Sequence, residues 1–256
     1  IPMGSNLAGG EGPFSPKINE RYNNVMFNQG VGAEMIAEKW GLRRTYLDEM
    51  AVTSHERAAA ATADGLFTEE IVAVGDFNAD QGIRPGSNVE KIATLPTPFK
   101  EGGVVSAGNA SQISDGAAAL LVTTSEKAAE LGLTPIARFH TGAVAGSDPI
   151  MMLTGPIPAT EMVLKRAGLT IDDIGAFEVN EAFASVVGAW LAETGADPLI
   201  TNPNGGAMAI GHPLGASGAR LATTLIHQMK RNNIRYGLQT MCEGGGMANA
   251  TIIELL

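Results

Sequence analysis

Gly175-Ala176-Phe177-Glu178-Val179-Asn180-Glu181-Ala182-Phe183-Ala184 is the stretch that decides the fold. Its first half, Gly175–Val179, has strand character, and it leads without a linker into a helical pattern over Glu181–Thr194. The same alternation extends in both directions. Strand-like runs at Ala119–Thr123, Ile136–His140, Leu238–Cys242 and Thr251–Leu255 alternate with helical runs at Ala159–Ala167 and Ala216–Arg231. Such alternation predicts an α/β layered fold in which helices cover a mixed sheet. The last two strands are separated by a segment opening with Glu243-Gly244-Gly245-Gly246, which predicts a hairpin.

Upstream of Lys100 the texture changes. The first forty residues are rich in Gly, Asn and Pro, with a polar loop at Glu11–Asn24. From Gly32 to Asp64 apolar residues recur at spacings of three and four (Met35, Ile36, Trp40, then Tyr46, Leu47, Met50, Ala51), which predicts helix broken in two at Gly41 and capped at Gly65. Ile71–Val74 reads as a strand, and Asp80–Pro98 is turn-rich. Everything before Lys100 therefore reads as a loop-rich excursion from the core.

Composition narrows the function classes. Apolar residues make up 45% and charged residues 17% of 256, which supports a packed core rather than disorder. Glycine, at 32 residues, is in excess and implies tight turns or close backbone approach to a ligand. A net charge of −10 argues against a nucleic-acid surface. The single cysteine, Cys242, excludes an intrachain disulfide and a multi-thiolate metal site, so no metal is expected. No run of about 18 apolar residues is present, so no membrane-spanning helix is expected. The start, Ile1-Pro2-Met3-Gly4-Ser5, lacks the pattern of a signal peptide and reads as a chain entered partway. A cytoplasmic location is expected, with an organelle matrix as the alternative.

Three constellations carry chemistry. In Asn180-Glu181-Ala182-Phe183-Ala184 a strand passes into a helix, where ligands of α/β folds tend to sit. Asn180 reads either as a helix cap or as an amide that anchors a water or a substrate oxygen. In the glycine-rich run Asn204–Gly218, His212 lies between Gly211 and Pro213 just ahead of a helix. The positive end of that helix disfavours imidazolium, which suits a partner to a thiol or a donor to an oxyanion. Cys242, followed by Glu243-Gly244-Gly245-Gly246, reads either as a small buried hydrophobe or as a thiol served by glycine amides that stabilise a thiolate or an enolate oxygen. Glu243 would raise the thiol pKa unless strand alternation turns it to the other face. His55, on a predicted exposed helix face, His140 in a strand and His227 near a helix end are read as structural.

In this order the three motifs resemble the thiolase family: its Asn-Glu-Ala-Phe motif at Asn180–Phe183, its Gly-His-Pro motif at Gly211–Pro213 and its Cys-x-Gly-Gly-Gly motif at Cys242–Gly246. Ala107–Ser111 with Asp115–Ala119, and Thr154–Pro158, are further matches, and the resemblance runs from about Gly32 to the C-terminus. It implies a thiolase-like layered fold with mixed sheets, divided into a loop domain at 1–100, the end of an N-terminal core domain at 101–130 and a C-terminal core domain at 131–256.

The resemblance also implies acyl transfer between a 3-ketoacyl-CoA and CoA, either as thiolytic cleavage or as the reverse Claisen condensation. His212 would activate a nucleophilic cysteine and contribute to an oxyanion hole, and Asn180 would hold the water that completes it. Cys242 would be the acid/base at the α-carbon, with the Gly244 amide in a second oxyanion hole. Phe183 would line the acyl cavity, Ser111 would contact pantetheine, and Arg84 would stack on adenine unless it is simply a solvated loop arginine. Acyl-CoA and CoA are the implied partners, with coenzyme A a substrate and no separate cofactor, and the implied assembly is a homodimer or homotetramer.

Two departures from the family pattern qualify this. The nucleophilic cysteine is absent, so this chain alone is expected to be inactive. Phe27-Asn28-Gln29-Gly30 replaces the Tyr-His-Met-Gly run of short-chain biosynthetic members, which favours a degradative enzyme with a larger acyl group. The competing readings are a ketoacyl synthase-like condensing enzyme, which would carry a second catalytic histidine where Asn180 stands, and a CoA- or lipid-binding module without catalysis.

Overall fold

The computed structural model describes residues 15–25 and 27–256. Ile1–Ser5 and the first part of the expected polar loop, residues 11–14, lie outside the described residues. The remainder of that loop holds a short helix, α1 (Pro16–Arg21), capped by Ser15. Next come α2 (Gln29–Lys39) and α3 (Arg44–Ala63), which divide at Gly41 as the spacing predicts. Asn28 starts α2 by accepting from the Gly30 and Val31 amides through Oδ1. Gly65 follows the end of α3 in the left-handed conformation. Short helices α4 (Val89–Ala93) and α5 (Ser125–Glu130) punctuate otherwise irregular chain.

The core is one four-stranded mixed sheet among the described residues, built from β1 (Ala137–Gly146), β2 (Ala176–Val179), β3 (Tyr236–Glu243) and β4 (Met247–Leu255) in the order β1-β4-β3-β2. β1 and β4, and β4 and β3, pair antiparallel, whereas β3 and β2 run parallel. β3 and β4 form the expected hairpin across the glycine turn. Between β1 and β3 lie α6 (Pro156–Ala167), α7 (Ala184–Thr194), a single short turn α8 (Ala207–Ile210) and α9 (Ser217–Asn232).

Alternation along the strands assigns each face of the sheet. Phe177 and Val179 of β2, Leu238 of β3 and Ala248, Ala250 and Ile252 of β4 pack with Ala159 and Val163 of α6 and Val187 and Trp190 of α7. Ala176 and Ile253 face the other way, against Ala222, Leu225 and Met229 of α9. Residues 221, 222, 225 and 229 form one stripe of α9, which points this amphipathic helix at the sheet. Fully burying each such Leu or Met contributes roughly 1.5–3 kcal/mol.

Three expected elements are corrected. Ile71–Val74 is not a strand: Val74 makes one bridge to Phe77, and Val72 and Val74 are exposed, so β-branched content has no ladder to join. Ala119–Thr123 is extended but pairs with no strand among the described residues, leaving Leu121 and Val122 exposed. The helix expected from Glu181 begins at Ala184, with Phe183 at the N-cap position, so Asn180 is not its cap. Residues 180–184 are committed elsewhere: the Ser111 amide donates to Ala182 O at 3.0 Å, the Ala184 amide to Asn109 O at 2.9 Å, and Ala110 bridges Phe183.

Candidate active site

Asn180 continues the parallel ladder past the end of β2, its amide donating to Thr240 O at 3.0 Å. Its side chain is buried, with Oδ1 unpartnered and Nδ2 3.4 Å from His212 Nε2. His212 is held in turn from two sides. Its backbone amide donates to Gln112 O at 3.0 Å, and Nδ1 lies 2.5 Å from Ser217 Oγ at the start of α9. The Ser217 hydroxyl donates to Pro213 O at 3.0 Å, so Oγ accepts from Nδ1–H and Nε2 keeps its lone pair toward Asn180. Burial, followed by the positive charge of Arg220, holds the imidazole below its ordinary pKa. A neutral ring with Nε2 free can take a proton and then offer it as a hydrogen bond.

Cys242 stands near the end of β3, on the strand face opposite Glu243. It is buried with Phe183, Val105, Met152 and Leu153, and Phe27 and Met151 pack against the same group. Glu243 turns away to accept from Asn249 Nδ2 at 2.8 Å. Burial nevertheless pushes the thiol up to about 12, with the Glu243 charge adding to the rise. A thiol so shifted is a proton donor until something stabilises its anion. Gly244 follows in the turn, 4.0 Å from Gln29 Nε2 measured from where a β-carbon would be. Gly246 closes the turn at φ +83, and a β-carbon there would lie 2.8 Å from Ser147 O, a position only glycine fits. No hydrogen bond joins Cys242 to His212 among the described residues.

The remaining candidates lie on other segments. Ser111 is half-buried beside the Ala182–Phe183 turn. Phe183 meets Phe99 edge-on, ring centroids 6.2 Å apart, and belongs to the apolar group that buries Cys242. Arg84 is exposed on a turn whose backbone is tied to α3, the Arg84 amide donating to His55 Nδ1 at 3.2 Å. His55 is therefore a correction: it is 4% exposed rather than on a solvated face, because the Gly82–Arg84 loop covers it. His140 stacks edge-on against Tyr236, and His227 Nδ1 lies 3.6 Å from Glu69. Among the described residues no group of three or more His, Cys, Asp or Glu could hold a metal ion.

Sequence reasoning missed two residues that hold the site together. Glu181 is buried, accepting from Ser54 Oγ at 2.7 Å, the Met208 amide at 3.0 Å and Asn202 Nδ2 at 3.2 Å. Gln112 Nε2 donates to Gly82 O, Met208 O and Ala209 O within 2.9 Å, stitching the Arg84 loop to the turn before His212. The signal available for Glu181 was its place inside the Asn180–Phe183 motif.

With this geometry in view, comparison with known proteins places the chain. Residues 13–126 match the model described as Thiolase, N-terminal domain, and residues 133–255 match Thiolase, C-terminal domain. The chain belongs to the thiolase family. It is 51% identical to a steroid 3-ketoacyl-CoA thiolase of Mycobacterium tuberculosis over 100% of this chain and 65% of that protein. It is 47% identical to an acetyl-CoA acetyltransferase of Rhizobium meliloti, over 90% of this chain and 61% of the relative. The structure of the Bacillus anthracis acetyl-CoA acetyltransferase superposes with TM-score 0.84 at 37% identity, covering 89% of this chain and 60% of the other. Human mitochondrial 3-ketoacyl-CoA thiolase, in complex with CoA, gives 0.82 at 35% identity, covering 88% and 58%. This thiolase chain thus spans just under two thirds of the length of these relatives. No helix among its described residues is long and apolar enough to cross a membrane.

Proposed function

We propose that the whole protein is a thiolase that transfers an acyl group between a 3-ketoacyl-CoA and CoA, working in the cleaving direction. The observation that carries this is the Asn180–His212 contact, with a neutral imidazole whose Nε2 is unprotonated, set at the end of the sheet that also carries buried Cys242. An acyl-accepting cysteine is not present in this chain, whose single cysteine is Cys242, and the reading assigns that role to a cysteine in the part of the protein that the chain does not span.

In this reading His212 Nε2 takes the proton of the nucleophilic thiol as its sulfur bonds to the C3 carbonyl carbon. The Nε2–H so formed, together with a water on Asn180, stabilises charge that develops only in the transition state. The C2–C3 bond then breaks, its electron pair passes to C2, and the Cys242 thiol delivers the proton there. Gly244 N–H steadies the enolate oxygen while Cys242 is left as thiolate. A second CoA thiol gives its proton to the Cys242 thiolate and takes the acyl group from the enzyme sulfur, which recovers its own proton from His212 as the C–S bond to the enzyme breaks. Ser111 and Arg84 would contact the CoA, as the family resemblance implies.

Two features support a substrate larger than acetoacetyl-CoA: Phe27-Asn28-Gln29-Gly30 stands where short-chain members of the family carry Tyr-His-Met-Gly, and a relative in the comparison is named for steroid substrates. Thiolysis by the full-length protein should be measured over a series of 3-ketoacyl-CoA chain lengths, with a polycyclic substrate included. Cleavage that is fastest for the bulky substrates is expected. CoA binding without cleavage of any of them would replace the enzyme reading with a binding module. His212→Ala should slow acylation about 10²- to 10⁴-fold, and an unchanged rate would remove its role.

A further inference from the structure

The two elements that bring Asn180 and His212 together touch a second time, deeper in the fold. Glu178 lies in β2, two residues before Asn180, so strand alternation sets both on the side facing α9. Arg220 lies in α9, three residues after the Ser217 that holds His212, and therefore on the same side of the helix. Arg220 Nη1 reaches Glu178 Oε2 at 3.2 Å, and the Glu178 side chain is 1% exposed. These contacts close a ring, from Glu178 along β2 to Asn180, across to His212, through Ser217 into α9, and back through Arg220.

This contact has no evident task in stability alone. Burial pushes the Glu178 carboxyl up to about 8 even though Arg220 works against the rise, so near neutral pH the attraction does not restore the hydration that the pair gives up. Here the shortfall is visible, since Glu178 Oε1, Arg220 Nη2 and the neighbouring Gln239 Oε1 are all buried without a partner. Aliphatic residues would close the same seam more simply, as Ala176 of β2 and Leu225 and Met229 of α9 do further along it.

We propose that Glu178 and Arg220 are positioning residues for the oxyanion-hole pair, a cross-brace that sets the distance between Asn180 and His212 and keeps a fixed positive charge behind the imidazole. The inference rests on the thiolase reading above. Arg220 is the charged group that acts on His212 among the described residues. Arg220 is itself faced by Glu178 from β2, with Asp80 in the loop before α4 and Glu181 at the end of β2 in the same field, and Glu70 beside Glu178 and Asp80.

The test uses the full-length protein and follows the rate of acyl-enzyme formation against pH, together with KM for CoA. Arg220→Met should lower acylation about 10- to 100-fold through misplacement of the pair. It should also move the acidic limb of the profile to higher pH, because loss of a nearby cation lets His212 hold its proton more tightly. KM for CoA should stay as in the parent. Arg220→Lys keeps the charge but not the planar reach, so its rate should fall while its acidic limb stays in place, and it serves as the test should Arg220→Met not fold. Glu178→Gln, which keeps an acceptor for Arg220, should retain more activity than Glu178→Ala. Parental acylation rates and an unmoved limb in the Arg220 variants, beside a crippled His212→Ala, would overturn the brace and leave the thiolase reading intact. Absence of thiolysis in the parent protein would overturn that reading instead.

Discussion

Ser54 of α3 donates to Glu181 Oε2 at 2.7 Å, and the same hydroxyl accepts from the Gly206 amide at 3.0 Å. One buried serine thus joins α3, the Asn180 turn and the glycine-rich run that carries His212. The Glu181 carboxylate has further partners in Met208 N and Asn202 Nδ2, and Asn202 also brackets Val179 with bonds of 2.8 and 2.9 Å. Burial holds the Glu181 carboxyl above its usual range, while these donors work against the rise.

Glu181→Ala should therefore cost about 2–4 kcal/mol, because it strands three buried donors at once. Ser54→Ala should cost about 1–2 kcal/mol, and the double variant less than the sum, since the residues share one network. Denaturant unfolding of the full-length variants measures all three, and strict additivity would show that the network does not act as a unit.

Local order and the order of motifs were legible in the sequence, whereas connections across the fold were not. The hairpin β3–β4, the break at Gly41 and the amphipathic α9 follow from turn residues and periodicity, which are local properties. Glu181, Gln112 and the Glu178–Arg220 pair were missed because their partners lie tens of residues away, and periodicity carries no information about such pairs. Ile71–Val74 and Ala119–Thr123 have strand composition, but a strand requires a neighbour's amides and carbonyls, and here none is aligned with them. The sequence pattern starts α7 three residues early, because nothing in Asn180–Phe183 announces that residues 109–111 claim its backbone.

Gly205 is the point where the glycine-rich run crosses α3. Its φ is +79, and a β-carbon would lie 2.5 Å from Ser54 O and 2.9 Å from Ala58 N, both backbone atoms. Neither atom can rotate away. Gly205→Ala should destabilise by about 2 kcal/mol or more, combining left-handed strain with a backbone clash. Because the displaced loop leads to His212, acylation should slow as well. A variant with parental melting temperature and rate would contradict this packing.

Cys242 separates two halves of the proposed chemistry. Transfer of an acyl group from a simple acyl-CoA to the enzyme moves no proton at an α-carbon, but cleavage of a 3-ketoacyl-CoA does. Cys242→Ala should therefore lose about 10²- to 10⁴-fold in thiolysis while still forming the acyl-enzyme from acyl-CoA, read by intact mass. Robust thiolysis by Cys242→Ala would remove its assignment as acid/base. The parent thiol, held protonated by burial, should also react slowly with iodoacetamide at pH 7.5 in the absence of substrate.

His55 makes the stability of the fold depend on pH. Its Nδ1 must be unprotonated to accept the Arg84 amide, and burial followed by the Arg84 charge holds its pKa below the ordinary 6.5. Below pH 6.5 the unfolded chain protonates this histidine while the folded chain resists, so the unfolded state binds more protons. The contribution of His55 is thus fully present above 6.5 and is lost as pH falls through the depressed folded value. The buried carboxyls Glu178 and Glu181, both raised, have the opposite slope, since each is more readily protonated in the fold. The His55 term must therefore be isolated as a difference. His55→Gln keeps a side-chain acceptor for the Arg84 amide and cannot titrate. Between pH 7.5 and 5.5 the parent should lose more melting temperature than His55→Gln, and its affinity for CoA should fall more steeply as the Arg84 turn is released. Parallel curves for the two proteins would show that His55 stays neutral throughout, and that the Arg84 turn is held by something else.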